Sequence, residues 1–346
     1  MSTVREILET GLRHQQAGRL PEADHCYRAA LALDRNSPDA LHLLGLVCHQ
    51  TGQNRQAVDL IAQAIVQNDQ IAIYHSNLGL ALLALGRRAD GIARQWHALE
   101  LDPNLLQAHL LLVEALLPGE HYHQVLRRLH DRLKPRVYLE IGIETGASLA
   151  LARPPTIALG IDPAPRISFD FTADTRVFET TSETFFAEQD VRALTGFPGC
   201  DLAFIDGLHT FDQALRDFTD IERLALPGSV VLVHDCMPLS APTATREQHT
   251  RFWSGDTWKL VPLLKRHRPD LTVRTIACPP TGLAVITGLD PGSTVLVDNR
   301  AALFAEFVDF PFEYLGDDRD SKLNVIANDW SSIDQHLAQV LGPVAR

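Results

Sequence analysis

The sequence lacks several features that would assign it to a class at once. Its five cysteines (Cys26, Cys48, Cys200, Cys236 and Cys278) stand far apart, include no Cys-x-x-Cys pair and are odd in number, which fits a reducing, cytoplasmic setting. Dense basic runs are absent, and 31 Lys and Arg against 43 Asp and Glu leave a formal net charge of −12. A nucleic-acid surface is therefore not expected, and a small molecule or a protein is the default partner. Long apolar runs are missing as well: the most apolar segment, Leu105 to Leu117, is interrupted by Gln107, His109 and Glu114 and is too short to span a membrane. The opening Met-Ser-Thr-Val-Arg-Glu has no basic region followed by an apolar core, so no signal peptide is expected. What is present, 346 residues that are 45% hydrophobic and 21% charged, suits a globular protein of two domains.

Two glycine columns run through the first third with one period. Gly11, Gly45 and Gly79 are 34 residues apart, and so are Gly18, Gly52 and Gly86. The same offset aligns Ala23 with Ala57 and Gly91, Tyr27 with Ile61 and Gln95, and Ala30 with Ala64 and Ala98. The pattern implies a helix pair per repeat: a small residue lets the second helix approach the first, and the later glycine ends the first helix. It resembles the tetratricopeptide repeat, in three units over about residues 4–105 with an apolar capping helix from Leu106 to Leu117. Gln95 departs from the usual large apolar residue. The resemblance implies a stacked solenoid that either binds a protein partner or supports its neighbour.

After the Leu117-Pro-Gly-Glu break, His121 to Leu133 reads as an amphipathic linker helix with Val125, Leu126 and Leu129 on its apolar side. His121, His123 and His130 are expected on a solvated face, since no carboxylate or cysteine accompanies them at ligand spacing. From residue 136 apolar strands alternate with helical segments. The strands expected are Val137–Ile141, Ile157–Ile161, Arg176–Thr180, Asp201–Ile205, Ser229–Val233, Leu271–Ala277 and Leu283–Thr287. They predict a mostly parallel α/β sheet.

Glu140-x-Gly142-x-x-x-Gly146, followed by Asp162 at the end of the second strand, resembles the first two motifs of class I S-adenosylmethionine-dependent methyltransferases. Its spacing departs from the dinucleotide Gly-x-Gly-x-x-Gly, with Glu144 in mid-turn, which argues against a hydride-transfer enzyme. The resemblance predicts a Rossmann-like, doubly wound, seven-stranded sheet. Gly142 and Gly146 would let backbone N–H groups and the helix start approach the methionine carboxylate. Asp162 would accept two ribose hydroxyls, Glu140 would face the amino-sulfonium end, and Ser182 would lie near the adenine.

Phe204-Ile-Asp206-Gly207-Leu208-His209 and the later His234-Asp235, with Trp258 and Gly282 beyond them, extend the resemblance over residues 136–290. They are similar to the cephalosporin-hydroxylase-like and macrolide-sugar O-methyltransferases. By that resemblance Asp206 and Asp235 hold a divalent cation such as Mg²⁺, with His234 where some relatives carry a second carboxylate, and Asp206 also borders the cofactor. His209 stands where related enzymes place a base, and imidazole suits that work. The implied activity is methyl transfer to a small hydroxylated acceptor, such as a sugar or secondary metabolite; an interaction scaffold with an inactive methyltransferase-like domain is the alternative.

Among lesser candidates, Arg216 and Asp217 read as surface charges and Cys236 as inert packing, while Pro238 to Arg251 reads as a mobile loop over the site. His249 and Trp253 are candidates for an acceptor pocket, and Trp258 is expected in the core. The expected division is helical repeats over 1–118, a linker helix over 119–135, the methyltransferase-like domain over 136–290 and an extension packed on it over 291–346.

Overall fold

The structure, a computed structural model, describes residues 3–341. The chain divides into two units, one running to Leu116 with Thr250–Phe252, the other starting at Leu117 and including Trp253 onward.

The first unit holds helices α1 (Val4–Gln16), α2 (Leu20–Leu33), α3 (Pro38–Gln50), α4 (Asn54–Gln67), α5 (Ala72–Ala84), α6 (Arg88–Leu101) and α7 (Leu106–Leu116). Thr3 starts α1 with a reciprocal capping box to Glu6. The two glycine columns have different physical causes. A Cβ at Gly11 would lie 2.5 Å from Tyr27, one at Gly45 2.6 Å from Ile61, and one at Gly79 would collide with Gln95, so one column is pressed directly onto another. Gly18, Gly52 and Gly86 instead adopt φ of 72°, 80° and 77° just past the helix ends, where L side chains are strained. Gln95 keeps its place in the fully buried column by donating Nε2 to the carbonyl of Ser76 at 2.8 Å. These helices form a tetratricopeptide-like solenoid.

The second unit opens with α8 (Tyr122–Leu133) and continues with β1 (Val137–Ile141), β2 (Ile157–Asp162) and β3 (Asp174–Glu179). Next come α9 (Ser182–Glu188), α10 (Val191–Thr195), β4 (Cys200–Ile205), α11 (Phe211–Glu222) and β5 (Ala225–His234). It ends with α12 (Leu260–His267), β6 (Thr272–Ile276), β7 (Leu283–Thr287), α13 (Val295–Asp298), α14 (Arg300–Phe307), α15 (Arg319–Lys322), β8 (Val325–Ile326) and α16 (Trp330–Leu341).

The strands form one sheet in the order β3-β2-β1-β4-β5-β7-β6-β8. The first five are parallel, and β7 runs antiparallel to both β5 and β6. The expected sheet had seven strands; β8 adds an eighth, parallel to β6. A strand of two residues is too short to show periodicity in sequence. Order reverses between β1 and β4, which opens the ligand crevice of such sheets at their carboxyl ends.

Segment 119–135, expected as a linker, is built into this unit. Val125, Leu126 and Leu129 share one core cluster with Tyr138, Leu202 and Phe204 of the sheet. Ile333 and Leu337 of α16 belong to the same cluster, so the C-terminal segment completes the core as well as covering it.

Candidate active site at the strand ends

At the β1 turn, burial decides what each acid can do. Glu140 is fully enclosed: Tyr138 Oη donates to its Oε2 at 2.7 Å, and Ser148 Oγ to its Oε1. Burial pushes its pKa up to about 8, although both hydroxyls and their hydrogen bonds oppose that rise. Glu140 thus fastens the turn from beneath and does not face the crevice as expected.

Gly142 has φ 83°, and a Cβ there would overlap the Asp206 carbonyl oxygen. This glycine lets the ends of β1 and β4 touch. Gly146 also has positive φ, but only a three-residue 3₁₀ turn, Leu149–Leu151, follows it, so the helix start expected to face a carboxylate is missing.

Asp162 is committed in large part to the turn. Its Oδ2 accepts from the N–H groups of Ile143 and Glu144 at 3.0 and 2.9 Å, and its Oδ1 from Ala164 at 2.8 Å. A carboxylate has about four lone-pair directions, which leaves one on Oδ1 for a ligand hydroxyl rather than the two expected. Ser182 is also engaged, donating to Asp217 Oδ1 at 2.6 Å.

Asp206, His209 and Asp235 converge at the ends of β4 and β5, with ligand atoms all within 4.8 Å of one another. His209 Nδ1 lies 2.7 Å from Asp235 Oδ2, and its Nε2 3.7 Å from Asp206 Oδ1. The close contact is out of hydrogen-bond alignment, and both atoms are buried with no aligned partner. Burial alone would lower the His209 pKa, but Asp235 and Asp206 raise it.

His234 sits beside this trio. Its Nδ1 is 3.1 Å from Asp206 Oδ1 and 3.5 Å from Asp235 Oδ1. Burial would lower its pKa, yet the two carboxylates carry it to about 9. For Asp235 burial acts upward, and the two histidines outweigh it and hold the carboxyl low. Thr281 Oγ1 donates to Asp235 Oδ1 at 2.5 Å. His209 thus completes the cluster with the two carboxylates, and His234 lies against both of them.

Several residues near this cluster depart from the sequence expectation. Asp217 is no surface charge: it is buried, accepts from Ser182 and Gln213, and is raised by burial to about 6. Together with Asp206, His209, His234 and Asp235 it lines a small cavity of about 10 Å³. His130, expected on a solvated face, is buried edge-on against Tyr138. His121 and His123 flank Tyr122, whose ring lies 4.1 Å from that of His234.

The expected mobile loop is tied down in part. Trp253 stacks on His209 at 5.4 Å and 8°, its Nε1 donates to the Thr245 carbonyl, and the Ser254 N–H donates to that of Thr243. Trp258 is core, Cys236 is a buried thiol, and His249 is exposed.

The sheet order and the carboxyl-end site define a Rossmann-like methyltransferase fold. Residues 139–236 match the family described as a methyltransferase domain, and residues 11–52 that described as a TPR repeat. The chain thus carries a match to a TPR repeat in its first third and a match to a methyltransferase domain further on. Similar solved structures include the first TPR of Spaghetti (RPAP3) bound to an HSP90 peptide, at 21% identity, covering 33% of this chain and 90% of that one with a TM-score of 0.32. MamA is 22% identical over 32% of this chain and 66% of its own, with a TM-score of 0.31. A Thermobaculum terrenum O-GlcNAc transferase is 21% identical over 59% of this chain and 46% of its own, with a TM-score of 0.33. Among curated proteins none matches this sequence. No helix among the described residues is long and apolar enough to cross a membrane.

Proposed function

We propose that the α/β unit is an S-adenosylmethionine-dependent O-methyltransferase of the macrolide-sugar type, acting on a small hydroxylated acceptor such as a sugar or secondary metabolite. The helical repeats in this reading engage a protein partner, and the free cysteines accord with a cytoplasmic setting. The observation that carries it is the meeting of Asp206, His209 and Asp235 at the strand ends of a methyltransferase domain.

The cofactor, when bound, supplies an electrophilic methyl group. Gly142, Gly146 and the remaining lone pair of Asp162 would hold it, with Glu140 stiffening the turn below. A divalent cation suits the second half of the crevice: two carboxylates and an imidazole converge there, and His209 Nδ1 and Asp235 Oδ2 are buried without aligned partners. Mg²⁺ favours such oxygen-rich, partly hydrated sites. Asp206 and Asp235 would hold it. With His209 Nδ1 turned to Asp235, Nε2 is left to take the proton of the acceptor hydroxyl. The methyl group is already activated, so positioning and deprotonation are what the protein contributes.

A second reading, a repeat scaffold with an inactive domain, draws on Asp162, three of whose lone pairs are filled by backbone N–H groups. Incubation with methyl-labelled cofactor and fractionated small-molecule extract, with and without Mg²⁺, separates the two. Label in a hydroxylated acceptor that vanishes in His209→Ala supports the enzyme. Cofactor binding without any transfer supports the scaffold.

A further inference from the structure

Tyr122, the first residue of α8, stands at the same crevice from a direction that neither the strands nor their loops supply. Its backbone N–H donates to the Pro279 carbonyl at 3.1 Å, fastening the helix start to the β6–β7 turn. That turn carries Thr281, whose hydroxyl bonds Asp235. Behind Tyr122, Val125, Leu126 and Leu129 anchor the helix in the core, so the ring is delivered by a rigid element.

The ring faces His234 with centroids 4.1 Å apart and planes 31° apart, and Phe204 borders both rings at 6.2 and 6.3 Å. His234 is thereby gripped by two aromatic side chains. Its Nδ1 points to Asp206 at 3.1 Å, and its Nε2 lies 3.4 Å from Thr281 Oγ1. The two rings meet tilted rather than edge-on.

We infer that Tyr122 is a positioning residue: its ring fixes the His234 imidazole so that Asp206 is held in register with His209 and Asp235 for a divalent cation. The functional consequence rests on the cation reading above, whereas the grip on His234 does not.

The test uses the full chain, with Tyr122→Phe and Tyr122→Leu, and two readouts. The first is the position of the His234 ring-proton signals in metal-free protein, assigned by their loss in His234→Ala. The ring current of Tyr122 shifts them in the wild type and in Tyr122→Phe, and Tyr122→Leu removes the shift. Unmoved signals in a folded Tyr122→Leu protein overturn the inference.

The second readout is Mn²⁺ affinity. Wild type and Tyr122→Phe agree within about twofold, and Tyr122→Leu is weaker by about tenfold, the scale of lost support behind a metal ligand. In a His234→Ala background the leucine change has no further effect; an equal loss there overturns the inference. Absence of Mn²⁺ binding by the wild type, with the ring-proton shift intact, defeats the cation reading and leaves the His234 grip standing. If Tyr122→Leu does not fold, Tyr122→Phe still decides, because a tenfold loss of affinity on removing only the hydroxyl contradicts a role for the ring.

Discussion

His209 and Asp235 meet at 2.7 Å while both hold left-handed backbone, with φ of 57° and 59°. That region is uncommon for any residue but glycine, although His and Asp enter it more readily than most; it costs of order 1–3 kcal/mol each and persists only where the surroundings enforce it. The enforcement is visible. The Asp256 N–H donates to the His209 carbonyl at 3.0 Å, and a Cβ on Gly255 would overlap that same oxygen. If the pair exists to orient a base, Asp235→Asn and His209→Ala each lower methyl transfer by about 10²–10⁴-fold. The double variant is hardly worse than either single one. Single-turnover transfer measures this, and an Asp235→Asn protein at the wild-type rate contradicts it.

Glu140 supplies a pH dependence whose sign follows from its pKa. The folded value of about 8 lies above the ordinary 4.5, so between these the native state keeps a proton that the unfolded chain has released. This contribution to stability is fully present below about pH 4.5 and is lost as pH rises through about 8. Glu140→Gln abolishes it. Urea midpoints at about pH 5 and about pH 8.5 are expected to fall further in the wild type than in Glu140→Gln; parallel losses contradict the assignment.

Arg268 is an ion-pair hub at the far end of the sheet. Its guanidinium, 2% exposed, is bidentate to the buried Glu222 at 2.8 and 2.9 Å and also reaches Asp270. Arg268→Ala strands the Glu222 carboxylate and is expected to cost about 3–5 kcal/mol. The double change Arg268→Met with Glu222→Leu removes both charges and costs less than Arg268→Ala. Chemical denaturation of the three proteins checks that order.

The two glycine columns separate by their partners. Gly45→Ala overpacks Ile61 and is expected to cost about 1–3 kcal/mol, with partial relief when Ile61→Ala is added, since their contact is 2.6 Å. Gly52 has open space around it and φ 80°, so Gly52→Ala costs about 1–2 kcal/mol through strain. That cost simply adds to the cost of Ile61→Ala. Double-mutant cycles on the melting of the repeat unit distinguish the two columns.

The helices of the repeat array were legible because one period repeats in several columns, and the central parallel strands β1, β2, β4 and β5 because each carries an apolar run between turn residues. Strand β8 was not, being only two residues long. The roles of side chains were less legible than their positions. Asp162 was found at the end of β2, but that backbone N–H groups occupy it is a property of how two loops meet. Asp217 read as a surface charge, although Ala214, Asp217, Phe218 and Ile221 fall at helical spacing on one face, and all are buried. Tyr122, to which the sequence alone assigned no role, continues the Val125, Leu126 and Leu129 stripe at helical spacing and packs against the same core; its meeting with His234 needed the fold.

If the β1 turn and Asp162 form half of a cofactor site, calorimetry shows S-adenosylhomocysteine binding there. One site per chain is expected in the wild type, with binding lost in a folded Asp162→Ala protein. No heat at high cofactor excess, or unchanged binding in Asp162→Ala, would contradict the account.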